Sequence, residues 1–445
     1  MAGNVLRGAG NLLRFASAYA RSQEFRTTIA SVDPRHHGLE RSTGQMRREL
    51  AIAPASARPA RTLSGAALSL SVITTHRGRT AINLVLPELD PTSIFAGVKT
   101  ALDAANQLAR RLELPLRVVL LSESIPGDVV TAAEQYLRRQ FGAATELVPR
   151  TAIIDSRFGD DDVWMVTHWT TAHPAQVAAA AGVLRAQQVV YLVQDFEAGF
   201  HAWSTDYQVA RGTYGAGFAL LVNSAPLARY LAARTGVEVP PEQVFAPSLD
   251  LDRLRAVSRR RREVGGRIFF YGRPSKPRNM YRLGVAALER AMLELGTRAV
   301  EVQVISAGEA HGDRELAPGV VMKSLGTLAW DDYYRQLEVT DVMVSLQASP
   351  HPSHPPLEAA VSGAVAIVND FEGTRAGMHP RVRAVAADPE TLGHAIAQAV
   401  LDSWARTPAR YRPIDEANLG RPLLDAVEVI AVRLSTSAVG SEVRR

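Results

Sequence analysis

Short apolar runs alternate with longer amphipathic stretches along most of the chain. The first series reads as strand Ala81-Ile-Asn-Leu-Val-Leu86, helix 95–113, strand Leu116-Arg-Val-Val-Leu-Leu121, helix 127–140, strand Val163-Trp-Met-Val-Thr167, helix 173–186 and strand Gln188-Val-Val-Tyr-Leu-Val193. Strand Gly217-Phe-Ala-Leu-Leu-Val222 and a short helix at 225–235 complete it. A Pro240-Pro241 turn and the basic run Arg259–Arg262 precede a second series. That series has strand Arg267-Ile-Phe-Phe-Tyr271, helix 279–295, strand Val300-Glu-Val-Gln-Val-Ile305, helix 331–338, strand Asp341-Val-Met-Val-Ser345, helix 356–363 and strand Ala364-Val-Ala-Ile-Val368. Strands separated by helices predict βαβ units on parallel sheets, since a parallel pair needs a long crossover. The expected fold class is therefore α/β, with two doubly wound, Rossmann-like domains facing across a cleft. The halves share element order but no short-period repeat. Ligands in such sheets bind outside the carboxyl ends of the strands, which directs attention to the loops that leave them.

Organisation follows from where these series begin and end. Residues 1–62 form a basic extension and linker, 63–247 the first domain, 248–403 the second, and 404–445 carboxyl-terminal crossover helices. The extension holds ten arginines against four acids, whereas the whole chain of 445 residues carries only +5. Residues 1–22 set Val5, Leu12, Leu13, Phe15 and Ala16 among spaced arginines, which fits either a helix lying on an anionic membrane face or a frayed basic tail. Ala51–Leu63, with Pro54 and Pro59, reads as a linker, and folded structure is expected from about Leu68.

Composition narrows the chemistry. With 47% hydrophobic residues the chain can build real cores. It has no cysteine, so disulfides, thiolate metal sites and cysteine nucleophiles are excluded, in keeping with a cytoplasmic setting. No run approaches the ~18 apolar residues needed to span a bilayer. Arg7, Arg14 and Arg21 interrupt any apolar core of a secretion signal.

Five loops carry candidate chemistry. Ser349-Pro-His-Pro-Ser-His-Pro-Pro-Leu-Glu358 is a Pro-broken turn that opens a helix. Helix N-termini present unpaired N–H groups and the positive end of the macrodipole, so Ser353, His354, Pro356 and Leu357 mark a phosphate site, with Glu358 one turn inside. Tyr271-Gly-Arg-Pro-Ser-Lys-Pro-Arg-Asn279 follows a strand and crowds Arg273, Lys276 and Arg278 beside Tyr271 and Asn279. Guanidinium forks and a lysine suit a diphosphate whose charge builds as it leaves, although many basic clusters are only solvated turns. In the first half, Gly97 lets backbone approach a ligand, or simply starts a helix. The stretches Val166–Ala172 and Tyr191–Ser204 gather His168, Trp169, Gln194, Asp195, Glu197, His201 and Trp203, the mixture of carboxylate, amide and aromatic faces that sugars need. Two metal readings fail on the residues. Asp160-Asp-Asp162 looks like a solvated turn, and His351 and His354 are separated by a helix-breaking proline and lack a third ligand. No metal is expected.

Taken together, Tyr191-Leu-Val-Gln-Asp-Phe-Glu-Ala-Gly-Phe200, Phe270–Asn279 and Ser349–Glu358 resemble the WsaF-like rhamnosyltransferases, a retaining family with the GT-B architecture. Phe95-Ala-Gly-Val98 is similar to that family's first-domain loop, with Ala in place of a second Gly. The resemblance implies a nucleoside-diphosphate sugar donor, dTDP-L-rhamnose, bound mainly to the second half without a metal cofactor. It further implies that Arg273 and Lys276 neutralise the leaving diphosphate, that Glu358 contacts the ribose, and that amides near His354–Leu357 hold phosphate. His168 or Asp195 would face the acceptor hydroxyl. Retaining relatives often carry a second Glu eight positions before the first. Pro350 stands there in this chain.

The expectation is a metal-independent glycosyltransferase acting on a cell-surface or lipid-linked glycan, cytoplasmic and peripheral on the inner face of the plasma membrane, with no nucleic-acid partner. A catalytically silent sugar-nucleotide-binding scaffold of a glycan assembly complex is the alternative. An epimerase or phosphorylase on the same fold is a third reading. Gly265-Gly266 and Ser403–Pro413 are the expected hinge and crossover for cleft closure.

Overall fold

The computed structural model describes residues 43–91, 94, 96–123, 125–262, 265–405, 410–414 and 418–442. The possible membrane-facing helix at 1–22 lies outside them. So does Phe95, and with it part of the Gly97 loop.

Two seven-stranded sheets carry the molecule. The first runs β4-β3-β2-β6-β7-β8-β9, with β2 at Ile82–Leu86, β3 at Leu116–Leu120, β4 at Glu146–Pro149, β6 at Val163–Val166, β7 at Val189–Val193, β8 at Ala219–Asn223 and β9 at Val244–Phe245. Every pair in it is parallel, and Ile82 sits opposite both Leu116 and Val163. Sheets of this kind are covered on both faces, and β2, β6, β7 and β8 are buried at every position. The second sheet runs β12-β13-β11-β10-β14-β15-β16 and is parallel except for the hairpin β12 (Arg314–Ala317) with β13 (Val320–Ser324). Its parallel strands are β10 (Arg267–Gly272), β11 (Gln303–Gly308), β14 (Val342–Val344), β15 (Val365–Asn369) and β16 (Val382–Val385).

The start of the folded chain lies upstream of the expected Leu68. Helix α1 (Thr43–Ile52) and the turns after it pack Ala53, Ala57, Leu68, Leu70 and Val72 into the core of the first sheet. Residues 43–62 are therefore part of the first domain, which corrects their reading as extension and linker. The anchor is polar. Glu49 and Arg150, both nearly inaccessible, form a bidentate pair at 2.8 and 2.7 Å, and Arg150 also donates to the Gly65 carbonyl at 2.6 Å. A proline-punctuated segment with one buried acid shows no periodicity that would betray this partner, which is 101 residues away.

Asp162 corrects a second expectation. The Asp160–Asp162 turn is not simply solvated: β1 (Thr74–His76) pairs with β5 (Arg157–Gly159), and the buried Asp162 carboxylate sits where they meet. It accepts from the N–H groups of Gly159, Thr80 and Ala81 at 3.0, 2.6 and 3.0 Å and from Asn83 at 3.1 Å. A buried carboxylate is tolerated when several donors replace its water.

The helices over the first sheet are α2 (Ala96–Arg111), α3 (Gly127–Phe141), α4 (Trp169–Ala180), α5 (Thr205–Thr213) and α6 (Ala225–Thr235). Helix α4 begins four residues before the expected 173 because His168 caps it and Pro174 is accommodated inside it. Helix α7 (Leu251–Arg260) carries the chain across and buries Leu254 and Val257 under the second sheet. There it joins α8 (Tyr281–Leu295), α9 (Trp330–Leu337), α10 (His354–Ser362) and α11 (Pro389–Ala405). Gly265 and Gly266, at φ +66° and +75°, lie under the Trp404 indole, where an added Cβ would approach within 2.9 and 2.8 Å. The final helix α12 (Leu423–Glu442) returns to the first domain: Ala426, Val427, Ile430 and Leu434 join its core, and Arg111 pairs with Glu428 at 2.6 Å.

Candidate active site

The loop after β7 builds the first-domain wall. Glu197 is 3% exposed, and its carboxyl accepts from the Trp169 N–H and from Tyr191 Oη at 3.0 Å; its own N–H donates to Tyr214 Oη at 2.8 Å. Tyr191, Tyr214 and Phe196 stack beneath it with centroids 5.7 Å apart. Burial pushes the Glu197 carboxyl up to about 8, against the pull of the Trp169 amide and Tyr191. Glu197 is thus a keystone that fixes the start of α4 to the loop after β7, and at neutral pH it carries a proton.

A pH test follows. The folded value lies above the unfolded one, so the stabilisation is complete below about 4.5 and is lost as pH rises through about 8. Above pH ~7 the buried histidines are neutral in both states and do not interfere. The melting temperature should fall between about pH 7 and 8 and level off above that, and this fall should flatten in Glu197→Gln, which keeps a neutral acceptor there. An equal slope in both proteins would remove Glu197 as its source.

His168 caps α4 by accepting from the Thr170 N–H at 3.3 Å, and burial, with His201 and Arg278 nearby, lowers it to about 4. It is a neutral imidazole at physiological pH. His201 meets the Trp169 ring edge-on at 5.3 Å. Gln194 donates to the Gly97 carbonyl at 2.8 Å, and a Cβ at Gly97 would lie 3.5 Å from its amide oxygen. This ties the first turn of α2 to the same wall.

The second domain reaches across to Asp195. Ser349 Oγ donates to its Oδ1, the Phe196 N–H donates to the same oxygen at 2.8 Å, and Arg278 stands 3.8 Å from Oδ2. Burial raises the Asp195 pKa and Arg278 opposes that rise. The Arg278 guanidinium also lies over the Phe200 ring at 4.4 Å. The carboxyl ends of β7 and β14 therefore meet at one carboxylate.

The Ser349 turn is held from behind by Arg375. Arg375 is 2% exposed and donates to the carbonyls of Gln347 at 2.9 Å, Ser349 at 3.0 Å and Pro352 at 3.3 Å. Ser353 then takes φ +67°, ψ +148°, a conformation that side chains rarely adopt, immediately before α10. Its N–H donates to His351 Nδ1 at 3.1 Å. Pro355 and Pro356 suit a first helical turn, whose N–H groups have no partner within the helix. They also remove two of the donors that a helix N-terminus would offer, so any anion there meets chiefly the His354 N–H and the dipole. His354 itself is partly buried and hydrogen-bonds the Ser248 backbone, and desolvation lowers it to about 4. Leu357 is core.

Glu358 accepts from Tyr333 Oη at 2.6 Å, and burial pushes it up to about 7. Tyr271, at the end of β10, is close enough to Tyr333 to influence it. Beyond β10, the Arg273 stem passes over Gly308, whose φ of +126° and missing side chain leave room: a Cβ would stand 3.0 Å from Arg273 Cγ. Glu309 receives the Ser275 N–H at 2.9 Å and is held low by Ser275 and by the charges of Arg273 and Lys276. Asn279 is buried with its side-chain oxygen unpartnered.

The structure thus gathers His168, Trp169, Gln194, Asp195, Glu197, His201 and Arg278 in one wall, Ser353 to Glu358 in the facing turn and helix, and Arg273, Lys276 and Tyr271 on the adjoining loop. Trp203 stands apart, exposed and stacked on Tyr207. Sequence reasoning did not single out Ser349, Arg375, Tyr333 or Glu309 as site residues. Only Ser349 had a usable signal, at the head of a Pro-broken turn. Among the described residues no group of three or more His, Asp or Glu is arranged to hold a metal ion, and no helix is long and apolar enough to cross a membrane.

Residues 81–221 match the model of the WsaF amino-terminal domain, and residues 266–397 match that of the WsaF carboxyl-terminal domain. The chain belongs to the WsaF family. The O-antigen biosynthesis protein RfbC of Myxococcus xanthus is 31% identical over 284 residues, which are 62% of this chain and 21% of RfbC. The chain thus spans about a fifth of the length of that curated relative. Among solved structures, Anabaena Alr3699/HepE in complex with UDP and glucose superimposes with a TM-score of 0.50 at 15% identity, covering 82% of this chain and all of HepE. That likeness and the two facing sheets establish the GT-B architecture for this WsaF-family chain.

Proposed function

We propose that this WsaF-family protein is a glycosyltransferase that moves L-rhamnose from dTDP-L-rhamnose, with retention of configuration, onto a cell-surface glycan or lipid-linked saccharide. The observation that carries the reading is the meeting of two strand-end loops at Asp195, with the Arg273-Lys276 loop on the donor side. Family membership and a name in O-antigen biosynthesis on a 31% identical relative support the class of reaction.

In this reading the donor diphosphate replaces Glu309 as the partner of Arg273 and Lys276. Arg278 and the His354 N–H at the head of α10 complete its cradle, with Tyr271, Asn279, Ser353, Pro356 and Leu357 shaping it. Charge then moves onto the leaving diphosphate as the glycosidic bond breaks, and cations already in place lower that barrier. Glu358 approaches the ribose through a carboxyl poised by Tyr333. His168 and Asp195 line the acceptor side with Trp169, Gln194, Glu197 and His201. No residue is assigned as general base, since His168 is a weak base at about 4 and Asp195 is engaged by Ser349 and Arg278; the acceptor hydroxyl's proton passes to the leaving diphosphate oxygen as the new bond forms. The donor is bound without a metal, and the protein acts at the cytoplasmic face of the membrane.

A second reading, a silent sugar-nucleotide-binding scaffold, is favoured by Pro350 at the place of a second Glu. A thermal-shift panel with dTDP, UDP, GDP and ADP, free and as sugar conjugates, tests the donor, because selective ligands raise the melting temperature by mass action. Selective stabilisation by dTDP compounds followed by sugar transfer is expected. Stabilisation without turnover on any acceptor would favour the scaffold, another nucleotide would discard dTDP-rhamnose, and no shift at saturation would overturn nucleotide-sugar binding.

A further inference from the structure

Trp203 is 92% exposed, more than any other large apolar side chain among the described residues. Its ring is ordered against a partner: it stacks on Tyr207 of α5 with centroids 6.0 Å apart and planes within 7°. Tyr207 is itself fixed, its N–H donating to Ser204 Oγ at 3.3 Å in the cap of α5. The indole faces are thus largely open to solvent, with the parallel tyrosine ring offset at their margin.

The pair stands apart from the candidate active site but follows it closely along the chain. Phe200, under the Arg278 guanidinium, and His201, against Trp169, are three and two residues before Trp203. Three residues reach at most about 11 Å, so the indole lies a short step outward from the Asp195 wall. Its surroundings discriminate between occupants. Apolar protein and membrane contacts use contiguous apolar patches. Trp203 is instead followed along the chain by the exposed polar Ser204, Thr205 and Gln208, with Asp206 partly exposed, and Phe200 before it is 36% exposed with its ring under Arg278. A lone flat aromatic with hydroxyl, amide and carboxylate neighbours matches a pyranose, whose C–H face lies on the π-cloud while its hydroxyls take the polar rim.

We propose that Trp203 and Tyr207 form an outer glycan subsite that holds a sugar of the acceptor beyond the one being extended, so that the acceptor is an oligosaccharide rather than a single sugar or a bare lipid phosphate. This rests on the glycosyltransferase reading and specifies its acceptor class. The subsite takes no part in bond making. Its contribution is affinity that grows with glycan length.

The test uses the full chain on an array of bacterial surface-polysaccharide fragments of one to six sugars, with affinities for the bound series measured by titration calorimetry. Trp203→Ala, Trp203→Phe and the unaltered protein are compared, and dTDP and UDP melting shifts are recorded for each. The unaltered protein should bind fragments of three or more sugars more tightly than their terminal monosaccharide. Trp203→Ala should lose that gain, about tenfold in affinity. Trp203→Phe, which keeps an aromatic face, should retain most of it, and the nucleotide shifts should be the same in all three. Length dependence that survives in Trp203→Ala overturns the subsite, as does an unaltered protein that binds no fragment. Loss in Trp203→Ala of binding to phosphatidylglycerol vesicles, with glycan binding unchanged, assigns the ring to a membrane and overturns it too. Failure of the unaltered protein to respond to any nucleotide sinks the transferase reading instead, whatever Trp203 does.

Discussion

Replacing Arg273 by alanine should lower kcat by about 100- to 1000-fold, with a smaller rise in donor KM. Resting binding and transition-state binding are separable in the proposed reading, in which Arg278 and the head of α10 also hold the diphosphate. Arg273 leaves the end of β10 with its stem laid over Gly308, and its charge is directed to the Glu309 side, the place proposed for the departing diphosphate. A cation fixed in advance contributes most when negative charge is greatest, which is after the glycosidic bond has begun to break. Arg273→Lys should recover only part of the rate, since an ammonium cannot reproduce the two-pronged contact of a guanidinium. Steady-state transfer with the confirmed donor decides it: a kcat within threefold of the parent would remove Arg273 from the mechanism.

Arg375→Met should destabilise the protein by about 3 kcal/mol or more, read as the midpoint of denaturant unfolding. Methionine roughly preserves volume but leaves the Ser349 and Pro352 carbonyls without the Arg375 donor and Gln347 with only the Asn369 amide. It also removes a positive charge that favours the ionised form of Asp195. The effect should not be confined to stability. With the Ser349 turn released, the hydrogen bond to Asp195 and the strained Ser353 conformation lose their support, so the nucleotide-induced melting shift should shrink as well. Unfolding within about 1 kcal/mol of the parent, with an unchanged nucleotide shift, would show that the turn holds itself.

The contrast between these two arginines explains how much of the site could be read from sequence. Arg273 stands in a local cluster directly after an apolar strand, so its position at a strand's carboxyl end follows from the one-dimensional pattern alone. Arg375 lies in Glu-Gly-Thr-Arg-Ala-Gly-Met, a glycine-flanked surface-like stretch, and is buried only because the Gln347–Pro352 turn folds over it. Glu49 with Arg150 is a second case of the same kind: two ordinary charged residues, 101 apart, become a buried pair when α1 docks. Trp203 is the converse case. Its neighbours in sequence enter the candidate site, whereas its own ring turns outward onto Tyr207, because side-chain direction is set by the cap of α5 rather than by chain proximity.

The chain by itself determined its α/β class, the order of its main strands and helices and its two-domain plan. Those properties are local: a strand buried on both faces is a run of apolar residues, and a crossover helix is a periodic stripe. Tertiary structure alone decided which groups meet and how they ionise. The joining of Asp195 to Ser349 across 154 residues, the neutral Glu197 and His168, the loss of two helix-end donors to adjacent prolines and the solitary exposure of Trp203 all depend on distance and desolvation. Both are properties of packing in three dimensions, to which spacing along the chain gives no access.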